Sequence, residues 1–514
     1  MSKVYLVGAG PGDPGLLTLK GRWALEQADS ILFDHLANPA LLRHARPDAE
    51  RLYVGKKKSD RAHSQEEIAA MLVERARAGK TVVRLKGGDP FIFGRGGEEA
   101  EALADAGVDF EVVPGVTAPL GIAAYSGVPL THREHTSVVT FVTGHDVDAI
   151  DWAPVSDSET LVIFMGLTHA ADIAARLIAA GRDPDTPAMA VRWGTHPAQQ
   201  TVVAPLRSIA EAIAAARMKP PATIVVGPVV GLRDKLNWFE RLPLFGQRIV
   251  VTRAREQAGD LAAKLRALGA EALEFPVIAI RPAPDYSALD AAIARLEEYE
   301  WLIFTSVNGV RFFLDRLDLS DVDLRSLGAR ICAIGPATRA AVEALHLKVD
   351  VMPDEYVAES LVREFSEVDL RGARVLIPRA AVARDLLPEQ LRARGARVDV
   401  VEAYRTEVPQ DCEPLRGRID WVTFTSSSTV KNFLAIVGRD VLASARTASI
   451  GPVTSATMRQ HGVEPTVEAS PYTVDGLLAA IVGPIPAAGR LQAATTLGSE
   501  LLSIVADQVA EGFG

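Results

Sequence analysis

Three glycines follow the first apolar run of the chain, at Gly8, Gly10 and Gly12 in VYLVGAGPGDPGLLTLKG, Val4 to Gly21. Glycines in that place let a backbone turn sharply and approach a ligand closely. A dinucleotide cradle needs a different loop. The spacing here is G-x-G-x-G, and Pro11 removes an N–H that a pyrophosphate would use. A second glycine-rich segment, VVRLKGGDPFIFGRGGEE, runs from Val82 to Glu99, and a third, VVPGVTAPLGIAAYSGVPLTHR, from Val112 to Arg133. Asp34 stands at the end of the apolar run Ser30–Phe33, where parallel sheets place catalytic groups. The same position also suits a helix N-cap before HLANPALL. Lys56, in VGKKKSD, offers a titratable amine or simply a solvated loop charge.

The elements that would position these residues are short apolar runs bounded by Gly or Pro, alternating with helical patterns. Val4–Gly8, Thr81–Leu85, Leu161–Met165, Ile249–Thr252, Leu302–Thr305, Val375–Pro378 and Val422–Thr425 are examples. Such alternation predicts α/β units with largely parallel sheets. A boundary is expected at Arg241–Gly246, RLPLFG. Beyond it the chain repeats itself. GQRIVVTRA at Gly246 returns as GARVLIPRA at Gly372, EWLIFTSVNGVRFFL at Glu300 as DWVTFTSSSTVKNFL at Asp420, and AIGPATRAAVEAL at Ala333 as SIGPVTSATMRQHG at Ser449. Three segments in one order, offset by 126, 120 and 116 residues, predict two similar α/β lobes with a ligand cleft between them.

With 514 residues the chain is long enough for three or four domains, and 48% hydrophobic with 23% charged residues is ordinary globular composition. A net charge of −10 disfavours nucleic acid and anionic membranes as partners. Cys332 and Cys412 are far apart, have no metal-ligand spacing, and suit a reducing cytosol. No His/Cys cluster has metal spacing, so no metal site is expected; the N-terminus reads as a strand running into a glycine loop, so no signal peptide is expected; and without a window of ~18 apolar residues no membrane span is expected.

The three glycine-rich segments, in their order, closely resemble the uroporphyrinogen-III methyltransferase family of the tetrapyrrole-methylase class. ILFDHLANP, TLVIFMGL, AVRWGTHPAQQ and PATIVVGPVV extend the resemblance over nearly all of residues 1–240. It implies a two-lobed tetrapyrrole-methylase fold that uses S-adenosyl-L-methionine and releases S-adenosylhomocysteine. By that resemblance Pro11, Gly87, Gly88, Asp89, Ile92, Thr117, Ala118, Met165 and Gly194 contact the methyl donor. Taken alone, Met165 reads as core packing and Asp89 as a turn cap. Asp34 matches the family's proton acceptor and Lys56 its proposed donor. Arg95, His132 and Arg133 are candidates to hold substrate carboxylates, because guanidinium forks pair well with them. The resemblance also implies a homodimer. Some related proteins carry a dehydrogenase and ferrochelatase module ahead of this unit, and that activity is expected to be absent here.

Residues 246–486 resemble uroporphyrinogen-III synthase, through FTSVNGV, the IGP turns, PRA, EAYRT and SPYTVDGLLAAI. That resemblance implies two similar parallel-sheet α/β lobes joined by two extended strands, at about Phe275–Arg281 and Val401–Val408. The methyltransferase would then span 1–243, one synthase lobe 246–281 with 408–486, and the other 282–400, leaving 487–514 as a tail without an assigned role. The substrate would be a linear tetrapyrrole with eight carboxylates and a terminal hydroxymethyl group, and its closure is mainly a positioning problem. Hydroxyls and helix N-termini after strands can bind many carboxylates. Thr305, Ser306, Thr338, Thr425, Ser426 and Thr454 lie where such turns are expected, and each equally suits a helix cap. Tyr404 matches the family's cleft tyrosine, proposed to assist departure of the hydroxyl. Its bland alternative is aromatic packing. Together the resemblances imply synthesis of uroporphyrinogen III followed by two methylations to precorrin-2. The alternative is a methyltransferase joined to a non-catalytic tetrapyrrole-binding module.

Overall fold

The structure is a computed structural model that describes residues 2–55, 63–253, 255–353, 358–382, 385–409, 412 and 414–483. The chain divides into two compact units near residue 250, with residues 263–272 counted in the first. Among the described residues no helix is long and apolar enough to cross a membrane. The segment 487–514 lies outside the described residues.

The first unit carries two sheets. One contains β1 (Val4–Gly8), β2 (Ser30–Phe33), β3 (Glu50–Tyr53), β4 (Val82–Lys86) and β5 (Phe110–Val113) in the order β3-β2-β4-β1-β5, all parallel. The central strands β1 and β4 are buried along their whole length. That explains why β1 reads as a continuous apolar run, since helices cover both faces of a parallel sheet. Side chains alternate between the faces. Val4 and Leu6 join one core with Leu72 and Leu103, while Tyr5 and Val7 join another with Leu25 and Leu41.

The second sheet contains β6 (Val139–Thr143), β7 (Thr160–Phe164), β8 (Pro187–Arg192), β9 (Gln200–Pro205) and β10 (Ala222–Val226) in the order β6-β7-β10-β8-β9. Only β6 and β7 are parallel; β10 runs antiparallel to both β7 and β8, and β8 pairs antiparallel with β9. Antiparallel pairs thus dominate this one sheet, while the other sheets are largely parallel, as expected. The link between β8 and β9 is a short loop, too short for the crossover that a parallel pair requires.

The second half begins with β11 (Arg248–Val251) and β12 (Glu271–Glu274). Then β13 (Ala279–Pro282), β14 (Trp301–Phe304), β15 (Arg330–Ala333), β16 (Arg374–Ala380) and β17 (Arg397–Glu407) form a sheet of their own, in the order β13-β17-β16-β14-β15. The chain afterwards returns to β11 with β18 (Trp421–Phe424), β19 (Arg446–Ser449) and β20 (Val467–Glu468), giving the order β12-β11-β18-β19-β20. The segments read as connectors meet as β13 and the end of β17, antiparallel, with Ala279 opposite Glu407 and Pro282 opposite Tyr404.

The sequence repeat is also a repeat of local structure. Trp301–Phe304 and Trp421–Phe424 are buried strands, each followed by a serine that caps a helix. Ser306 accepts from Gly309 N at the start of Val307–Leu317, and Ser426 accepts from Thr429 N at the start of Ser427–Val437. Both IGP turns put proline in the first turn of a helix, Pro336–Glu343 and Pro452–Gln460, where its missing N–H costs nothing.

Candidate functional site

In the first unit a cavity of about 290 Å³ lies at the C-terminal ends of β1, β2 and β4. Pro11, Gly87, Gly88, Asp89, Ile92, Thr117, Ala118, Met165 and Gly194 all line it, together with Asp34 and Arg95. Backbone contacts draw the three glycine segments together. Gly88 N donates to Gly10 O at 2.8 Å, and Gly10 N to Gly88 O at 3.2 Å. A Cβ on Gly115 would stand 2.3 Å from Gly88 O and 2.7 Å from Gly8 Cα, so no side chain fits where the loops cross. Asp89 fastens the same junction. Its Oδ1 accepts from Phe91 N and Ile92 N, and its Oδ2 accepts from Gly115 N at 3.0 Å. Asp89 therefore caps its own turn and also lines the cavity.

Seven non-glycine residues have positive φ among the described residues, and five of them, Phe93, Arg95, Met165, Trp193 and Thr195, sit on the loops around this cavity. Each costs of order 1–3 kcal/mol, and such strain gathers at ligand sites. Met165 is 51% exposed, so the core-packing alternative does not describe it. Arg95 is exposed at the cavity wall and paired with Glu98, its Nε 3.0 Å from Oε1.

Asp34 follows β2. Its Oδ1 accepts from Leu36 N at 3.0 Å and its Oδ2 from Arg84 Nη2 at 3.0 Å. It is not the N-cap suggested by the sequence, because Asn38 caps the short 3-10 helix Pro39–His44. Beneath Asp34 lies a charged group the sequence reading missed. Arg84 and Lys86, two apart on β4, are each 4% exposed and both donate to Glu99 Oε1, at 3.1 and 2.9 Å; Glu99 is fully buried. Lys86 also lines the cavity. Burial, and then the neighbouring Arg84, push the Lys86 ammonium below its ordinary range, while Glu99 and Asp34 oppose that shift. The available signal was the pair of cations inside the buried run VVRLK.

Lys56 lies outside the described residues. His132 and Arg133 are not among the residues lining the cavity. They occupy a tight turn closed by the His132–Thr136 bridge. Although no metal site was expected, this turn brings ligand atoms of His132, Glu134 and His135 within 4.8 Å of one another on an accessible surface. His132 Nδ1 already accepts from Glu134 N at 3.2 Å.

In the second half Tyr404, on β17, is 7% exposed and stacks on Phe312 with ring centroids 5.7 Å apart. Its hydroxyl lies 2.9 Å from Ser306 Oγ. Burial pushes the phenol above its ordinary range, partly offset by the Ser306 hydrogen bond. Thr305 and Thr425 are half-buried at strand ends, and Ser426 is a helix cap closed by Thr429 in a capping box. Thr338 and Thr454 are buried in the first turns of their helices, and neither caps its helix, since Gly335 and Gly451 hold the N-cap positions.

The family of tetrapyrrole (corrin/porphyrin) methylases matches residues 3–210, and the family of uroporphyrinogen-III synthase HemD matches residues 259–479. The porphyrin biosynthesis protein HemD of Ruminiclostridium josui is 36% identical over 487 residues, 92% of this chain and 96% of that protein. The uroporphyrinogen-III C-methyltransferase of Bacillus subtilis is 40% identical over 346 residues, 66% of this chain and 71% of that protein. Siroheme synthase 2 of Halorhodospira halophila is 52% identical over 245 residues, which is 47% of this chain and 50% of that protein. Among solved structures, the Thermus thermophilus uroporphyrin-III C-methyl transferase complexed with S-adenyl homocysteine is 44% identical, covering 45% of this chain and 100% of that one, with a TM-score of 0.40. The chain belongs to the family of bifunctional tetrapyrrole-biosynthesis enzymes that join a tetrapyrrole methylase to a uroporphyrinogen-III synthase.

Proposed function

We propose that this enzyme cyclises hydroxymethylbilane to uroporphyrinogen III with inversion of ring D, then methylates that product at C-2 and C-7 to give precorrin-2. The methyltransferase would occupy 1–243 and the synthase 246–486, in lobes of 246–281 with 408–486 and of 282–400. We further propose a cytosolic homodimer paired through the methyltransferase. One observation carries the methyl-transfer reading: nine residues matched to methyl-donor contacts line a single cavity together with Asp34.

The cavity suits S-adenosylmethionine by its chemistry. At Gly87 a Cβ would come 2.4 Å from Leu36 Cβ, and at Gly194 2.3 Å from Ile122 Cγ1, so the walls approach closely only because both are glycines. Bound there, the sulfonium supplies an electrophilic methyl. A pyrrole carbon takes it, positive charge builds on the ring, and a proton must leave. Asp34 receives that proton, its carboxylate already aimed by Leu36 N and Arg84. In the synthase half, Tyr404 donates its proton to the departing hydroxyl. Shape and dispersed hydrogen bonds choose which bond closes.

Purified enzyme given hydroxymethylbilane and labelled S-adenosylmethionine should form precorrin-2. Binding of hydroxymethylbilane without turnover would favour a non-catalytic second half. Asp34→Asn preserves the side chain's shape and removes the base. Methyl transfer should slow by roughly 10²–10⁴-fold while donor binding stays nearly constant. Wild-type turnover in that variant would reduce Asp34 to a turn cap.

A further inference from the structure

The buried charges under the cavity are costly. Arg84, Lys86 and Glu99 are almost wholly shielded from solvent, and each buried ion loses several kcal/mol of hydration. Apolar residues of similar volume would serve stability at least as well, and the surrounding layer is apolar, with Val82, Leu72 and Leu103 in the same core. Orientation is what the charges add. Three donors converge on Glu99 Oε1: Arg84 Nε at 3.1 Å, Lys86 Nζ at 2.9 Å and Gln65 Nε2 at 2.7 Å. Arg84 is held from three directions at once, by Glu99 through Nε, by Leu85 O through Nη1 at 3.1 Å, and by Asp34 Oδ2 through Nη2 at 3.0 Å. A planar guanidinium bonded on three sides cannot turn.

We propose that Glu99 is a positioning residue for methyl transfer, locking Arg84 so that Arg84 fixes the carboxylate of Asp34 at the cavity wall. The inference rests on the reading of Asp34 as the proton acceptor. Glu99 has a second effect. It shares Arg84 with Asp34, so that Arg84 does not depend on Asp34 alone for neutralisation. Without the Glu99 charge Arg84 would bind Asp34 more strongly. The neighbouring Glu98 does not share the role: it is exposed and paired with Arg95.

A double-mutant cycle with the full-length enzyme separates this role from a structural one. Glu99→Gln, Asp34→Asn and the double variant are compared in single-turnover methyl transfer to supplied uroporphyrinogen III, at saturating labelled S-adenosylmethionine. Donor affinity and thermal melting are measured on each. Glu99→Gln should lower the rate about 10–100-fold with donor affinity unchanged, less than the roughly 10²–10⁴-fold lost with the base itself. If Glu99 acts through Asp34, the double variant should be no slower than Asp34→Asn alone. Rate losses that multiply in the double variant, or a wild-type rate in Glu99→Gln, overturn the proposal. A wild-type rate in Asp34→Asn instead removes the base reading itself and the proposal with it, and this outcome is recognisable because it appears in the Asp34 variant alone. Should Glu99→Gln not fold, Arg84→Lys keeps the charge, loses the fork and replaces it in the cycle, with the same non-multiplying loss expected.

Discussion

Tyr404→Phe removes one oxygen and tests the synthase chemistry with little disturbance. The ring stays stacked on Phe312 in its buried site, so no core volume is lost. What disappears is the 2.9 Å contact with Ser306 Oγ. Ser306 is not stranded, because its Oγ still accepts from Gly309 N at 3.0 Å. The stability cost is therefore that of an ordinary neutral hydrogen bond, about 1 kcal/mol, and below the roughly 3 kcal/mol that an orphaned buried group can reach. For a unit of this size that lowers the melting temperature by about 2–4 °C. The effect on rate should be larger. Burial keeps the phenol protonated through neutral pH, so wild-type enzyme always has an O–H to give. Losing a positioned proton donor should slow dehydration of hydroxymethylbilane by about 10²–10⁴-fold. The assay couples substrate consumption to chromatographic separation of the type I and type III products. Under the proposed mechanism, in which shape and not Tyr404 makes the choice, product that leaves the enzyme should still be mainly type III. An unchanged type III rate removes Tyr404 from the mechanism. A nearly complete switch to type I at normal consumption shows that Tyr404 governs ring choice instead.

Three other substitutions test the methyltransferase frame. Gly115→Ala places a Cβ against two backbone segments, Gly88 O at 2.3 Å and Gly8 Cα at 2.7 Å, and should abolish donor binding while Gly97→Ala, which meets nothing within 4 Å, leaves it intact; calorimetric titration with S-adenosylhomocysteine reads both. Equal affinity in the two variants would show that the loop crossing does not shape the cavity. Glu50 is held near a pKa of about 2, below its ordinary 4.5, chiefly by its hydrogen bond with Arg75. A depressed carboxylate contributes stability above the unfolded value and loses it as pH falls through the folded one, so the window is about pH 4.5 down to 2. The side chain is 37% exposed, so screening reduces the contribution to about 1 kcal/mol. Glu50→Gln should melt lower at pH 7 by that amount and converge with wild type by pH 2, and parallel melting curves across the window would refute the linkage.

Much of the frame was legible in the sequence, because its strands are apolar runs ending in glycine. β1 and β4 could be placed that way, and the Trp-x-x-Phe strands with their capping serines revealed the repeat. The second sheet was harder. β8 and β10 are as apolar as parallel strands, and only the pairing shows their direction. Glu98 and Glu99 are adjacent and chemically identical, yet helix phase sends one to solvent and one to the core. Sequence alone does not fix that phase. Thr338 and Thr454 illustrate the same limit. They sit in the first helical turn, as read, but on its buried side. Met165 shows the reverse, an apolar residue that strand-end periodicity assigns to the core and a positive φ turns outward.

The return of the chain from β17 to β18 has a consequence for synthesis. Thr252 Oγ1 donates to Thr423 O at 2.7 Å and Thr423 Oγ1 to Val250 O at 3.0 Å, partners 171 and 173 residues apart. β11 waits for β18 while the whole sheet β13–β17 is made between them. That intervening sheet can close as it emerges from the ribosome, since its strands follow one another in the chain. Its completion shortens the effective loop joining β11 to β18, because a folded insert holds its two ends, β13 and β17, side by side. The antiparallel pair at the lobe junction thus acts as a clasp for the nascent chain. A ribosome stalled before residue 420 would present β11 as a bare edge, the state most open to mispairing and to proteolysis.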